Sequence, residues 1–409
     1  MTQIFKTLTL ALAFSVSATA QQKDKAIFVT EPVSYYQHTI VKSLTGTYDS
    51  TLQKKLKIDY KNKNFPTDPA LYNTIWYSAK ISQGNTGTCW SFSTSSFMES
   101  EIKRLTNKEV NLSEMYTVYW EYIERIKYFV KHKGKMHLGE GSETNAIAKI
   151  MELYGAVPYR AYTGKKEEQD FYNHEPMFEE INDLFESIKQ KQDWDEEKAV
   201  LQLKNILNQH IGVPPTKIEV DHKKMTPKEY VHYIGLNPKD YVNFMSLMEI
   251  PYYQKGLYNV PDNWWRSKDY NNIPLDDFMA LIKTAIEQGY SMSIGGDVSE
   301  PGFDKITQTA TIPTFDIPSE YIDEGARQLR FSNGSTTDDH AMHLVGYHIT
   351  KDGTTWFLIK DSGSGSRNAD STSNAFGFYF MHEDYIKLKM MTITLHKDAA
   401  KEYLAKIKK

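Results

Sequence analysis

The chain has 409 residues, 48 lysines and arginines against 52 aspartates and glutamates, and one cysteine. That length exceeds the usual span of a single core and predicts two lobes or a domain carrying a large insertion. A formal charge of −4 provides no global basic field, which argues against nucleic-acid binding, and a lone thiol excludes intramolecular disulfides and zinc sites built from several thiolates.

Residues 1–20 read as a signal peptide. Lys6 supplies a short positive region, residues 8–16 an apolar run too short to span a bilayer, and Ala18-Thr19-Ala20 a small-x-small cleavage pattern. No later segment is apolar enough to cross a membrane, so the expectation is an exported protein, periplasmic or secreted, cut near Ala20 and without a membrane partner. Residues 21–75, polar and rich in lysine over 54–63, read as an irregular N-terminal arm.

Residues 76–164 read as a helical lobe. From Cys89, the residues Trp90, Thr94, Phe97, Met98, Ile102 and Leu105 recur at helical spacing. Asn111 to Glu114 has the layout of a capping box, and Met115, Tyr116, Tyr119, Trp120 and Ile123 continue it as a second helix. A third runs over 146–154 and stops at Gly155. Residues 165–260 are the most charged part and read as a mainly helical insertion. Phe178, Ile181, Leu184, Phe185 and Ile188 share one helix face, and Thr226-Pro227-Lys228-Glu229 forms a second capping box. After a helix over 275–288 the signal turns to short strands at 290–296, 340–349, 356–360 and 376–381. Residues 261–395 therefore read as a β lobe and 396–409 as a short helical tail. Helices first and strands later predict an α+β fold with a cleft between lobes.

The sharpest feature is the segment Gln83-Gly84-Asn85-Thr86-Gly87-Thr88-Cys89-Trp90-Ser91-Phe92. A polar, glycine-bearing loop delivers Cys89 to the start of a helix, where unpaired N–H groups and the positive end of the macrodipole favour a thiolate. Gln83, six residues earlier, can aim its amide at an oxyanion forming beside the sulfur. The plainer alternative is a buried, inert cysteine. A thiolate nucleophile also needs a base, and among twelve histidines His340 stands at the head of an apolar strand, with His343 and His348 reading as packing or surface residues. The strand over 356–360 ends at Asp361, which can accept the second imidazole N–H, so the pattern permits a Cys89–His340–Asp361 triad.

These blocks resemble the papain superfamily of cysteine peptidases, and within it the bleomycin hydrolase and aminopeptidase C branch. The resemblance rests on the Cys89 loop and helix, His340-Ala341 with Val345-Gly346-Tyr347, and Phe357-Leu358-Ile359-Lys360-Asp361-Ser362. Thr226-Pro227-Lys228-Glu229-Tyr230, Tyr270-Asn271-Asn272, Gly295-Gly296-Asp297-Val298 and Gly377-Phe378-Tyr379 select the branch. It covers about residues 75–395. It implies a two-lobe papain-like fold, a helical lobe facing an antiparallel, barrel-like β lobe. It also implies that Cys89 is the nucleophile, His340 the general base and acid, and Gln83 the oxyanion-hole donor. Peptides are the implied substrates and no metal or organic cofactor is implied.

Gly139-Glu140-Gly141-Ser142 aligns with the glycine-rich wall that binds substrate backbone, implying substrate contacts at Gly141 and Ser142, while a plain turn before a helix reads equally well. Where the family has Asn followed by Ser-Trp-Gly, this chain has Asp361-Ser362-Gly363-Ser364. Asp stabilises imidazolium more than an amide does, and the absent Trp leaves that hydrogen bond open to solvent. The branch further implies aminopeptidase action enforced by a C-terminal arm in the cleft, and a ring-shaped homo-hexamer. The short tail here makes endopeptidase action an alternative. Two others remain: an inactive peptide-binding homologue, and acyl transfer of the transglutaminase kind.

Overall fold

A computed structural model describes residues 23–166, 168–367 and 370–408, so the leader read at residues 1–20 lies outside the described residues. The architecture is α+β. Helices Cys89–Thr106, Glu114–Lys131 and Asn145–Tyr154 pack together, and a large mixed sheet stands against the first of them. Among the described residues no helix is long and apolar enough to cross a membrane.

The Cys89 helix is central rather than amphipathic. Every residue from Trp90 to Ile102 is buried. Phe97, Met98 and Ile102 join the helical core, whereas Ser93 and Ser96 face the sheet, where Ser96 Oγ lies 2.8 Å from His343 Nδ1 and accepts from Lys360 Nζ at 2.7 Å. Small hydroxyl side chains let the helix lie close to the strands while satisfying polar groups that burial would otherwise strand. Leu105, counted with the apolar face from sequence, is exposed.

The second helix starts two residues later than its capping-box reading. Ser113, not Asn111, is the N-cap, accepting from the Tyr116 N–H at 3.0 Å, while the Asn111 carbonyl accepts from the Tyr159 N–H. The Thr226 capping box forms as read, with Pro227 in the first turn. Gly155 closes the third helix at φ +84°, where a Cβ would overlap the Pro227 backbone.

Two helices from the charged stretch, Glu175–Lys191 and Glu196–Ile211, bury Met177, Ile181, Phe185, Leu203 and Leu207 in the same core as the Cys89 helix. Strands Tyr241–Met245 and Gln254–Gly256 belong to the large sheet. That sheet is mostly antiparallel. Two of its pairings run parallel, Tyr241–Met245 with Tyr270–Asn272 and Thr309–Ala310 with Phe378–His382. At its centre strand His340–Ile349 lies between Met292–Gly296 and Thr355–Lys360, with His340 opposite Gly296 and His343 opposite Lys360. This register brings the first residue of one strand and the residue after the end of its neighbour to the same edge.

The N-terminal arm is more ordered than its composition implied. Strands Ala26–Thr30 and Lys54–Ile58 pair, and Lys57 is buried between Glu31 at 2.8 Å and Asp304 at 3.2 Å. Opposite charges anchor the arm to the β lobe, and Tyr36 Oη donates to Asn85 Oδ1 at 2.7 Å on the loop before Cys89. At the other end, the tail helix Lys401–Lys406 packs against Asp277 and Tyr253.

Candidate active site

Cys89 is the first residue of its helix and is partly buried. The Thr88 carbonyl accepts from the Ser91 and Phe92 N–H groups, so the first turn is closed while the Cys89 N–H has no partner within the helix. The preceding loop is held from three sides. Gly84 takes φ +66° with its Cα against the Tyr172 backbone, a contact and a conformation that a side chain would forbid. The Gly87 N–H donates to Glu140 Oε2 at 2.7 Å, and the Gln83 N–H donates to the Ser362 carbonyl at 3.1 Å.

The Gln83 side chain is oriented through both ends of its amide. Oε1 accepts from Ser362 Oγ at 2.7 Å, and Nε2 donates to the Thr86 carbonyl at 2.8 Å. The Thr86 carbonyl, which can only accept, fixes which end is nitrogen, and Nε2 keeps a second N–H. A pocket of about 470 Å³ opens beside it, lined by Gln83, Asn85, Glu140, Glu175, Gly363 and Tyr36 of the arm among others.

His340 Nε2 lies 2.6 Å from Asp361 Oδ1, and the ring is within hydrogen-bonding reach of the Cys89 sulfur, which leaves Nδ1 for that contact. Burial opposes a charged ring here, but the Asp361 carboxylate and the Cys89 sulfur outweigh it and hold the His340 pKa well above its ordinary value. Burial also works against an ionised Asp361. The His340 ring, Arg367 and the Gly363 N–H prevail and lower its pKa to about 2. The absent Trp does not open this hydrogen bond to water. Asp361 is 3% exposed, with Gly363 against it and Arg367 near it, itself buried and donating to the Gly363 and Ile81 carbonyls.

The glycine-bearing wall runs directly into the helix Asn145–Tyr154. Arg125, 1% exposed, donates to the Gly139 carbonyl and to that of Gly141 at 2.6 Å, and pairs with the equally buried Glu121 at 2.5 Å. Trp90 Nε1 donates to the Glu140 carbonyl at 3.2 Å. A Cβ on Gly141 would overlap the Asp262 carboxylate, which would have to move aside. The neighbouring Ser142 hydroxyl is buried without a partner.

The structure thus gathers Cys89, His340, Asp361 and Gln83 at one interlobe edge. His343 points into the core, and burial next to Lys360 holds its pKa well below the ordinary value. Ser362, Arg367, Arg125 and Glu140 had no signal of their own in the sequence. Ser362 is visible only as a neighbour of Asp361 and Glu140 only as part of the glycine-bearing wall, while Arg125 and Arg367 act through the Gly141 and Ile81 carbonyls that the fold brings to them. No three His, Cys, Asp or Glu side chains are grouped to hold a metal ion among the described residues.

PepW from Lactobacillus rhamnosis HN001 superposes with a TM-score of 0.65 at 18% identity, over 83% of this chain and 85% of that one. A structure concerning the mite allergens Blo t 1 and Der p 1 gives 0.38 at 14% identity, over 82% and 73%, and SERA5E from Plasmodium falciparum gives 0.36 at 13%, over 82% and 93%. No curated protein is similar enough to match. The Peptidase C1-like family matches residues 31–134 and 139–409. The chain therefore belongs to the Peptidase C1-like family and is a papain-like cysteine peptidase.

Proposed function

We propose that the protein hydrolyses peptides as an aminopeptidase of the bleomycin hydrolase type, with Cys89, His340 and Asp361 as its triad. The observation that carries this is the imidazole with Asp361 at 2.6 Å on one nitrogen and the Cys89 sulfur within reach of the other. The thiolate attacks the scissile carbonyl, and the oxyanion accepts from the Cys89 backbone N–H and the uncommitted N–H of Gln83. His340 protonates the departing amine, leaving a thioester. Water then adds to the thioester as His340 takes its proton, and collapse of that intermediate returns the thiolate and releases the acid. Asp361 holds the ring and offsets its charge.

Support for the aminopeptidase reading comes from the branch-selecting motifs and the similarity to PepW. The reading at residues 1–20 supports action outside the cytoplasm. The test compares one peptide with a free and an N-acetylated amino end, using wild type and Cys89→Ala. Wild type is expected to prefer the free amine and the variant to lose turnover. Equal cleavage of both peptides removes the aminopeptidase reading, and turnover by Cys89→Ala removes the nucleophile.

A further inference from the structure

The peptide group between Thr86 and Gly87 is gripped at both ends. Its carbonyl accepts from Gln83 Nε2 at 2.8 Å, and its N–H donates to Glu140 Oε2 at 2.7 Å. A peptide is planar, with its C=O and N–H pointing in opposite directions, so an acceptor that fixes the N–H also fixes where the carbonyl aims. Glu140, on the glycine-bearing wall 53 residues after Gly87, therefore acts on the Gln83 amide through one intervening peptide.

Glu140 is itself held in place. Its carbonyl accepts from Trp90 Nε1 at 3.2 Å, and the flanking carbonyls of Gly139 and Gly141 accept from buried Arg125. Its other carboxylate oxygen, Oε1, accepts from Tyr122 Oη at 3.4 Å and lies at the same distance from His174 Nδ1. Tyr122 and His174 are each 1% exposed, so both contacts come from the core. The stem of the side chain packs on Gly87, where an added Cβ would lie 2.6 Å from the Glu140 Cβ. Glu140 thus holds the chain on both sides of Cys89, two residues before it through the carboxylate and one after it through the carbonyl.

Gln83 Nε2 carries two hydrogens. One is spent on the Thr86 carbonyl, and with Ser362 Oγ on Oε1 that bond sets the direction of the other, because the amide is planar. Hydrogen bonds in series also strengthen one another, so a carboxylate accepting from the Gly87 N–H makes the Thr86 carbonyl a better acceptor. Without Glu140 the Thr86–Gly87 peptide is free to turn, and the amide loses the partner that directs its remaining N–H.

We propose that Glu140 is a positioning residue for the oxyanion hole, aiming the Gln83 amide through the Thr86–Gly87 peptide. This deepens the peptidase reading and rests on it for the oxyanion. In this role Glu140 exchanges no proton with the substrate. Its effect is confined to steps in which negative charge develops on the scissile carbonyl oxygen.

The test is a double-mutant cycle. Wild type, Glu140→Ala, Glu140→Gln, Gln83→Ala and the Glu140→Ala, Gln83→Ala double variant are assayed for kcat and KM on the better of free and acetylated alanyl coumarin amides. Two further readouts are the rate of Cys89 alkylation by iodoacetamide and the affinity for a peptide aldehyde, which forms a tetrahedral adduct with the thiol without turnover. Glu140→Ala should lower kcat by about tenfold to a hundredfold with KM within about twofold, the scale of a misplaced group. Alkylation develops no oxyanion and should stay within about threefold. Glu140→Gln should recover most of kcat, since its amide oxygen can accept from Gly87 while its NH2 meets Tyr122 and His174. In the Gln83→Ala background Glu140→Ala should lose most of its effect, because the group it aims is gone. An equal effect with and without Gln83, an unchanged kcat, or alkylation that falls as far as kcat overturns the proposal. If wild type turns over neither amide, the hydrolase reading fails and the cycle is read on aldehyde affinity. Coupling there upholds the positioning role, and additive losses or no binding overturn it. Glu140→Asp, one methylene short of Gly87, replaces the alanine variant should that fold poorly.

Discussion

Replacing Asp361 by Asn separates charge from hydrogen bonding at His340. Asp361 is 3% exposed, its Oδ1 lies 2.6 Å from His340 Nε2, and its carboxylate also accepts from the Gly363 N–H. An amide offers one acceptor oxygen instead of two, so either the imidazole or Gly363 would meet an NH2 group. A hydrogen bond to a charged partner contributes about 1.5–3 kcal/mol against about 0.5–1.5 for a neutral one, so the substitution removes roughly 1–1.5 kcal/mol from the imidazolium. At about 1.4 kcal/mol per factor of ten, the charged ring loses close to tenfold in population wherever its titration governs the rate. The sign follows from the environment. Asp361 and Cys89 raise the His340 pKa, so the charged ring is present below that raised value and disappears as pH rises through it. Removing the carboxylate moves this loss to lower pH. The assay is kcat/KM from pH 5 to 10 on an acetylated, uncharged peptide amide, with Asp361→Ala alongside. The alanine variant removes the acceptor altogether and takes from buried Arg367 a carboxylate that offsets its charge, so it should be slower still and less stable. A descending alkaline limb at the same pH in wild type and Asp361→Asn would refute the role given to the charge.

Gln83→Ala should lower kcat by about 10²–10³ with little change in KM, as expected for a donor used only on the developing oxyanion. Ser362→Ala, which frees the Gln83 amide to turn, should show a smaller fall in kcat, recovered by Ser362→Thr. Arg125→Met leaves Glu121 buried and unpaired and should cost about 3–5 kcal/mol in urea unfolding, part of which a second change, Glu121→Gln, restores. Glu114 is 4% exposed, and burial beside Glu99 raises its pKa to about 8, so the folded state holds a proton that the unfolded chain releases near pH 4.5. Its contribution to stability is present below pH 4.5 and is lost as pH rises towards 8, by up to about 1.4 kcal/mol per pH unit. Glu114→Gln should flatten that decline, and denaturation curves at pH 5 and pH 8 that differ as in wild type would count against it.

Local signals accounted for much of the framework. A sulfur following a glycine-bearing loop, a histidine heading an apolar strand and an aspartate ending the next one are short-range patterns, and each marks how a backbone segment begins or ends. The helix period located the Glu175–Lys191 helix, and Thr226 with Glu229 marked a helix start, because caps and periodicity depend on residues three or four apart. The same reasoning misjudged the Cys89 helix. Its apolar spacing counted Leu105, which is exposed, and passed over the serines, which are buried against the sheet, where the Ser96 hydroxyl meets His343 and Lys360 from strands more than 240 residues later. It likewise read residues 21–75 as irregular, since lysines in an edge strand look like solvent-facing residues until Glu31 and Asp304 are seen beside Lys57.

By itself the sequence determined which atoms are available for chemistry: one thiol, an imidazole and a carboxylate at strand ends, and an amide on the loop before the helix. Only the tertiary structure decided what those atoms experience. The holding of Arg367 by the Ile81 carbonyl, the locking of Gln83 by Ser362, and the tie from the Gly87 N–H to Glu140 all join segments far apart in the chain. Electrostatic and hydrogen-bond energies depend on distance and burial, and neither is set by neighbours along the backbone.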